Sequence, residues 1–175
     1  MPMESFWEHV EGIGLRQGDF LPQCQVPLFH PNFGGDPDMV EAVAVHQYDL
    51  IILTQSCDLE NRKASLVALC PIFTLRDFEE VNPGFMQKGE WEKVRKGRVE
   101  GLHLLCSVTT PEDNRGALVV DFKEIYSLPF RYLEDHVTQL GQRWRLKPPY
   151  LEHFSQSFAR FFMRVGLPSS IPPYK

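Results

Sequence analysis

The apolar residues in the middle of the chain predict a central β-hairpin. Residues 41–55 are rich in β-branched and aliphatic side chains, and residues 50–53 form an uninterrupted apolar run. Such a run is typical of a strand covered on both faces, which places it in the middle of a sheet. A polar turn at residues 58–63 and a second apolar segment at 65–73 complete the predicted hairpin.

Helical spacing of apolar residues predicts helices at both ends of the chain and one helical region between. Residues 1–16 are expected to form a short N-terminal helix, and residues 74–98 two short helical pieces with Thr74 as N-cap. The C-terminal helix begins at Pro148 and Pro149. Its apolar stripe is predicted to consist of Leu151, Phe154, Phe158, Phe161, Phe162 and Val165, and the helix to end before Gly166 and Pro168.

The remaining segments predict shorter strands and one long loop. Strands are expected at residues 101–108 and 117–122, and a strand broken at Pro129 within residues 124–135. The Pro- and Gly-rich stretch at 27–37 predicts a loop.

These elements predict an α+β fold, in which the C-terminal amphipathic helix covers an antiparallel, partly closed, barrel-like sheet. We expect a single domain over residues 1–175. It consists of the N-terminal helix (1–16), a β-rich body (17–146) with inserted helices at 74–98, and the C-terminal helix and tail (147–175).

Composition excludes several classes of protein. The chain is 43% hydrophobic and 23% charged, which argues against intrinsic disorder. The apolar runs of the chain are too short to span a bilayer, and an acidic N-terminus without an apolar core does not resemble a secretory signal. We therefore expect a cytoplasmic protein without a membrane partner, in which Cys24, Cys57, Cys70 and Cys106 are free thiols.

Charge is distributed unevenly along the chain. Residues 1–60 hold one basic residue and ten acidic residues, whereas residues 61–175 hold seventeen basic and thirteen acidic residues. The acidic part can pack beside the basic part within one domain, or the basic surface can bind a polyanion. The clearest basic segment is 88–98, which has five basic and two acidic residues around Trp91. Its candidate nucleic-acid-binding residues are Lys88, Trp91, Lys93, Arg95, Lys96 and Arg98.

A second basic cluster, in which Arg143 and Arg145 flank Trp144, is a weaker candidate of the same kind. Arg160, one turn before Arg164 and off the apolar stripe of the C-terminal helix, is expected to face solvent or a partner.

A polar segment follows the central strand and holds the candidate catalytic residues Thr54, Gln55, Cys57 and Asp58. Cys57 has three possible roles, which the sequence leaves open. It can be a nucleophile activated by His46 or His103, a metal ligand together with residues such as Asp58 or Cys24, or a buried structural thiol. The spacing of the His and Cys residues does not indicate a metal site, and no cofactor is predicted.

Several of these residues also carry a resemblance to known proteins. Gly18, Asp19, Thr54, Gln55, Cys57, Asp58 and the block 154–168 resemble a group of small prokaryotic proteins of uncharacterised function, which adds Asp19 to the candidate catalytic residues. A weaker similarity is to the SH3-like barrels of PemK/MazF-type toxins, which also begin with a Gly-Asp turn. Tyr48 and Asp49 stand where those toxins have an Arg-Pro pair, so ribonuclease activity is not predicted.

The sequence therefore predicts a prokaryotic module that binds nucleic acid or a protein partner and belongs to a toxin or defence system. Its oligomeric state is left undefined. The alternative is a cysteine-dependent or metal-assisted hydrolase centred on Cys57 and Asp58, so whether the protein is an enzyme stays open. No Walker loop, GxGxxG, GxSxG or HExxH motif occurs in the chain.

Overall fold

The computed structural model describes residues 5–36, 40–110 and 113–163. In these ranges the chain forms eight strands and five α-helices, with 3-10 turns at Pro83–Met86 and Asn114–Gly116. The strands are β1 (Trp7–Glu11), β2 (Asp19–Leu28), β3 (Ala44–Ile52), β4 (Leu66–Thr74), β5 (Leu102–Leu105), β6 (Leu118–Asp121), β7 (Tyr126–Pro129) and β8 (Gln142–Leu146). The helices are α1 (Ser56–Glu60), α2 (Leu75–Val81), α3 (Glu90–Arg95), α4 (Phe130–Leu140) and α5 (Tyr150–Phe162).

All strand pairs of the described sheet are antiparallel, which confirms the predicted α+β class. The strands lie in the order β1-β8-β2-β3-β4-β6-β5, and β7 pairs with the first half of β4. The sheet is open, with β1 and β5 at its two ends, so the predicted barrel-like closure does not form.

The central hairpin is confirmed. Residues 50–53 are buried, and β3 lies between β2 and β4 in the middle of the sheet. Ile51 pairs with Cys70 across the β3–β4 ladder. The connection between the strands contains α1, so the predicted polar turn at 58–63 is partly helical.

The predicted N-terminal helix is wrong in the part that is described. Residues 7–11 form β1, which pairs with β8 from Trp7↔Leu146 to Glu11↔Gln142. A helix this short is marginal in water, whereas pairing with β8 satisfies the backbone of both strands. The Trp7 side chain is buried in the hydrophobic core, and its indole N–H donates to the Cys106 carbonyl at 2.9 Å.

The helical region at 74–98 is confirmed as α2 and α3, separated by a 3-10 turn. The Thr74 hydroxyl caps α2 by accepting from the Asp77 backbone N–H at 3.1 Å. Phe78 of α2 and Val94 of α3 are buried. Val81 is exposed, because α2 ends at this residue.

The strands predicted at 101–108 and 117–122 are confirmed as β5 and β6, which pair with each other. The strand predicted within 124–135 is confirmed only as far as Pro129. β7 ends at Pro129 and α4 begins at Phe130, with Leu133 and Val137 buried one turn apart. Because the segment starts with strand-like residues, the helical spacing of residues 130–140 was not recognised in the sequence.

The C-terminal helix is confirmed as α5, which covers one face of the sheet. Phe154 is fully buried, and its ring centroid lies 5.6 Å from that of Phe122 on the loop after β6. Phe158 and Phe161 pack against the same cluster, whereas Phe162 is about half exposed. Arg164, Val165, Gly166 and Pro168 lie outside the described residues.

A buried group of three charges joins the two parts of the chain that differ in charge. Asp19 at the start of β2 is fully buried and accepts from Arg143 Nε at 2.8 Å and from Arg145 Nη2 at 2.9 Å, both on β8. Arg143 also donates to the Gly12 carbonyl at 2.6 Å. The Asp19–Arg143–Arg145 triad therefore ties β1, β2 and β8 together.

Gly18 is required beside this triad. Its φ is +81°, and a Cβ there would lie 2.9 Å from the Leu151 side chain of α5. Only glycine allows both the left-handed backbone and the close approach of α5.

None of the helices in the described ranges is long and apolar enough to cross a membrane.

We expect Asp19→Asn to lower the free energy of unfolding by about 3 kcal/mol, because it leaves a buried guanidinium without its counter-charge. Urea denaturation followed by circular dichroism measures the change. Glu11→Gln is the matched control, since the Glu11 carboxylate meets only the exposed Gln142 amide, and should change stability by less than about 0.5 kcal/mol. Equal effects of the two substitutions would contradict the stabilising role of the triad.

Candidate functional site

The polar segment after β3 is held in place by hydrogen bonds within the protein. The Thr54 hydroxyl accepts from the Ala68 backbone N–H at 2.8 Å, which completes the β3–β4 connection. The Gln17 backbone N–H donates to Ser56 Oγ at 3.1 Å, and Gln17 Nε2 donates to the Leu53 carbonyl at 2.8 Å. Ser155 of α5 donates in turn to Gln17 Oε1 at 3.1 Å, so Gln17 links this segment to α5.

Cys57 is exposed on the five-residue helix α1. Its Sγ lies 3.8 Å from Gln55 Oε1 and 3.9 Å from Asp58 Oδ1. The sequence groups Gln55 with Cys57 and Asp58, and their side chains do lie close together. The Thr54 hydroxyl lies beside them and is bonded to the backbone of β4. No imidazole of the described residues shares a hydrogen bond with this group, so the predicted base for a cysteine nucleophile is missing from it.

Asp19 is separated from this group by its own contacts. It lies on the neighbouring strand, but its carboxylate is enclosed by Arg143, Arg145 and the Arg16 backbone N–H. The second basic cluster is engaged in the same way. Arg143 is buried, and Trp144 packs on His9 with ring centroids 3.5 Å apart, so the predicted nucleic-acid surface at this cluster is wrong.

The other three cysteines differ from Cys57 in burial and in the pKa of their thiols. Cys24, Cys70 and Cys106 are buried, and burial raises the pKa of each thiol, to about 12 for Cys24. In the described ranges, no three His, Cys, Asp or Glu side chains lie close enough together to hold a metal ion.

The basic segment 88–98 is folded around α3, and its charges are partly compensated. Lys93 pairs with Glu90 at 2.5 Å, and Glu92 pairs with Arg95 at 2.7 Å and Lys96 at 3.0 Å. The hydrogen bonds from Arg95 and Lys96 lower the pKa of Glu92 to about 2. Lys88 and Arg98 are exposed at the two ends of the segment.

Trp91 has a structural role in packing α3. Its indole N–H donates to Glu79 at 2.7 Å, and its ring packs against Phe78 and Phe85. The side chain therefore anchors α3 to α2, and its predicted stacking on a base stays a prediction.

A cleft of about 400 Å³ lies between α3, β5 and α5. Phe122 and Phe161 give it an aromatic lining, and His103 on β5 lines it as well. Arg95 from α3 and Arg160 from α5 are both exposed and both line this cleft. The sequence indicates each arginine separately, but only the packing of α5 against β5 brings them to one cleft.

Close packing shapes one end of this α3–α5 cleft. Gly101 has a φ of +82°, and a Cβ there would lie within 3.1 Å of both the Lys123 and the Phe161 side chains. Lys123 thus adds a third positive charge beside the aromatic lining. Glu100 also lines the cleft, so the lining is not uniformly basic.

His103 has an unusual electrostatic environment. Its ring lies about 6 Å from those of Phe122 and Phe154, at 6.0 and 5.9 Å between centroids. Burial, and secondarily the charge of His153, lower the pKa of His103 to about 4. The imidazole is therefore neutral at pH 7 and offers one donor and one acceptor.

Comparison of the sequence with protein-family models and with curated proteins finds no match in either set. The two resemblances noted in the sequence, and the toxin or defence role that they imply, therefore stay predictions.

We expect a thiol reagent to modify one cysteine rapidly in the native protein and four after denaturation in guanidinium. Burial and a raised pKa protect the other three thiols, whereas Cys57 is exposed. Cys57→Ser should abolish the rapid phase. A Cys57 that reacts much faster than a free thiol near pH 7 would instead support the hydrolase alternative.

We expect the free energy of unfolding to fall as the pH is lowered from about 6.5 to about 4. The unfolded chain protonates His103 near 6.5 whereas the folded protein does so only near 4, so protons favour the unfolded state in this window. The shift corresponds to on the order of 3 kcal/mol. Urea titrations across this range measure the slope.

His103→Gln should flatten that slope, whereas His30→Gln, on the exposed turn after β2, should leave it unchanged. An unchanged slope in His103→Gln would show that other groups cause the acid sensitivity.

Proposed function

We propose that the protein binds single-stranded nucleic acid, and that the α3–α5 cleft holds a phosphate and an unstacked base. The observation that carries this proposal is the position of Arg95 and Arg160 beside the aromatic lining formed by Phe122 and Phe161.

The two arginines supply the phosphate contact. A guanidinium group binds phosphate oxygens through two parallel hydrogen bonds, and Arg95 and Arg160 approach the cleft from elements that are far apart in sequence. Arg95 is paired with Glu92, but exposed ion pairs of this kind contribute little to stability, so the guanidinium can exchange Glu92 for a phosphate at low cost.

Phe161, which is partly exposed over the buried Phe122, supports stacking of a base. Each base that stacks on an aromatic side chain contributes about 1–3 kcal/mol, with little dependence on base identity. The cleft volume of about 400 Å³ falls within the range of small-ligand sites. A concave site accepts a base that has left its stack, which favours single strands over duplexes.

His103 and the neighbouring lysines extend this interaction. A neutral imidazole can donate to or accept from a base edge without adding charge. Lys96, Arg98 and Lys123 lie next to the cleft along the chain or in space and can follow the phosphate backbone. Glu100 repels phosphate at its position, so we expect the backbone to follow the side of Arg95 and Arg160.

The hydrolase alternative has weaker support. Cys57 is accessible, but the group around it contains an amide and a carboxylate and no imidazole. Binding without catalysis is the function that the geometry supports best.

We expect a fluorescein-labelled ten-nucleotide RNA or DNA strand to bind at low salt, and the duplex of the same sequence to bind more weakly. Fluorescence anisotropy measures both affinities. The double variant Arg95→Ala with Arg160→Ala should weaken binding of the single strand by at least about tenfold, because it removes both phosphate contacts. Its slope of affinity against salt concentration should also be smaller than that of the unmodified protein.

The matched control is Arg76→Ala with Arg131→Ala, which removes the same charge from exposed arginines outside the cleft. Binding should stay within about twofold of that of the unmodified protein, since these residues touch no proposed phosphate. No binding at low salt, or equal losses in the two double variants, would overturn the proposal.

A further inference from the structure

One side of β3 is left without a neighbouring strand along its first half. β4 pairs with β3 only from Leu50↔Pro71 to Ile52↔Leu69. After Pro71, β4 turns to pair with β6 through Ile72–Thr74. In the described sheet, residues 44–49 of β3 therefore pair with β2 on one side only.

The backbone of Val45 and Gln47 points away from β2. The Gln25 backbone N–H donates to the Tyr132 hydroxyl at 2.6 Å and not to β3, although Gln25 lies opposite Gln47. Pro27, opposite Val45, has no N–H to donate. Because hydrogen-bonded and non-hydrogen-bonded pairs alternate in an antiparallel ladder, Val45 and Gln47 direct their N–H and C=O groups outward.

The outward N–H and C=O groups of Val45 and Gln47 lie on the same side of β3 as those of Ile51, which pairs with β4. The Gly18 N–H donates to the Ile52 carbonyl at 2.9 Å, so Ile52 faces β2 and Ile51 faces β4. Ile51, Gln47 and Val45 lie an even number of residues apart and therefore face the same side. A strand added beside residues 45–49 would extend the position of β4.

The outer edge of β2 is protected against strand addition, whereas that of β3 is not. On β2, Pro27 removes one donor and Tyr132 occupies another. Natural proteins commonly protect exposed edges with proline, lysine or a covering element. Residues 44–49 of β3 contain neither proline nor lysine. Tyr48 packs against Tyr126 of β7, with ring centroids 5.4 Å apart, whereas residues 44–47 and Asp49 are exposed.

Apolar side chains are exposed beside this open edge. Val45 is 59% exposed and Phe29, after the end of β2, is 65% exposed. Phe29 and Phe33 contact each other with ring centroids 4.6 Å apart. A groove of about 760 Å³ adjoins them and is lined by Leu28, Phe29, Ala42 and Ala44 among others. Side chains of an added strand would find apolar contacts here.

The charge around the open edge indicates which kind of molecule binds there. Asp36 and Glu41 line the groove and Asp49 lies at the end of the open edge, within a segment of ten acidic residues and one basic residue. A second copy of this chain would bring two acidic edges together, and nucleic acid would be repelled. We propose that the β3 edge at residues 45–49 binds an extended peptide with alternating basic and apolar residues, which adds a strand to the sheet.

The test uses a fluorescein-labelled peptide of four Lys-Val repeats and the same peptide with Glu in place of Lys. We expect the basic peptide to bind the full chain in anisotropy titrations and the acidic peptide to bind at least about tenfold more weakly. Val45→Pro should weaken binding of the basic peptide at least about tenfold, because it removes an outward N–H without removing a β2–β3 hydrogen bond. Val45→Thr keeps the donor and the branched shape and should stay within about twofold.

A second arm needs no change in the protein and so remains decisive if Val45→Pro fails to fold. Two peptides are N-methylated, one on every odd residue and one on every even residue. Because only one of these rows faces the protein in a strand, one peptide should lose binding and the other keep it. Equal effects of the two methylation patterns, or no binding at about 1 mM peptide, would overturn the proposal.

Sedimentation of the protein alone tests whether a second copy of the chain binds to the open edge instead. A concentration-dependent dimer that Val45→Pro dissociates would assign the edge to self-association and overturn the peptide proposal.

Discussion

The burial of Asp19 between Arg143 and Arg145 is the constraint on which the arrangement of the molecule depends. A carboxylate with no exposed surface needs opposite charge and hydrogen bonds, and β8 supplies both from residues more than a hundred positions away. This contact fixes β8 between β1 and β2 and thereby determines where α5 begins. Because α5 follows β8 directly, the same contact places Arg160 over β5 and opposite α3.

The triad also accounts for how a chain with such uneven charge folds. It is a direct attraction between the acidic first part and the basic second part, one of the two outcomes that the charge distribution predicts. Away from the triad, two regions keep an excess of one sign. Arg95, Arg160 and Lys123 lie around the α3–α5 cleft, whereas Asp36, Glu41 and Asp49 lie around the open edge of β3. The two proposed partners, a polyanion and a basic peptide, follow from this separation.

Local patterns made several elements predictable. The apolar run at 50–53, the Thr74 cap and the aromatic stripe of α5 each depend on neighbours within a few residues, and each is found where expected. Elements that depend on distant partners were not predictable. The apolar residues of β1 have helical spacing, and it is pairing with the distant β8 that makes this segment a strand. The sequence of β8 itself resembles a basic surface segment.

The residues of the candidate site show the same difference between local and long-range contacts. The grouping of Gln55, Cys57 and Asp58 follows from adjacency in sequence, and so does the basic character of 88–98. The burial of Asp19 and the packing of Trp91 against Phe78 depend on contacts between separate elements. The meeting of Arg95 with Arg160 has the same origin, because no short-range signal specifies which strand α5 covers.

Backbone amide chemical shifts, recorded while an unlabelled single-stranded oligonucleotide is added, locate the binding site most directly. We expect the largest changes in two segments that meet at the α3–α5 cleft, residues 95–104 and 157–161. Changes concentrated at residues 55–58, or changes spread evenly over the basic surface, would contradict the proposal.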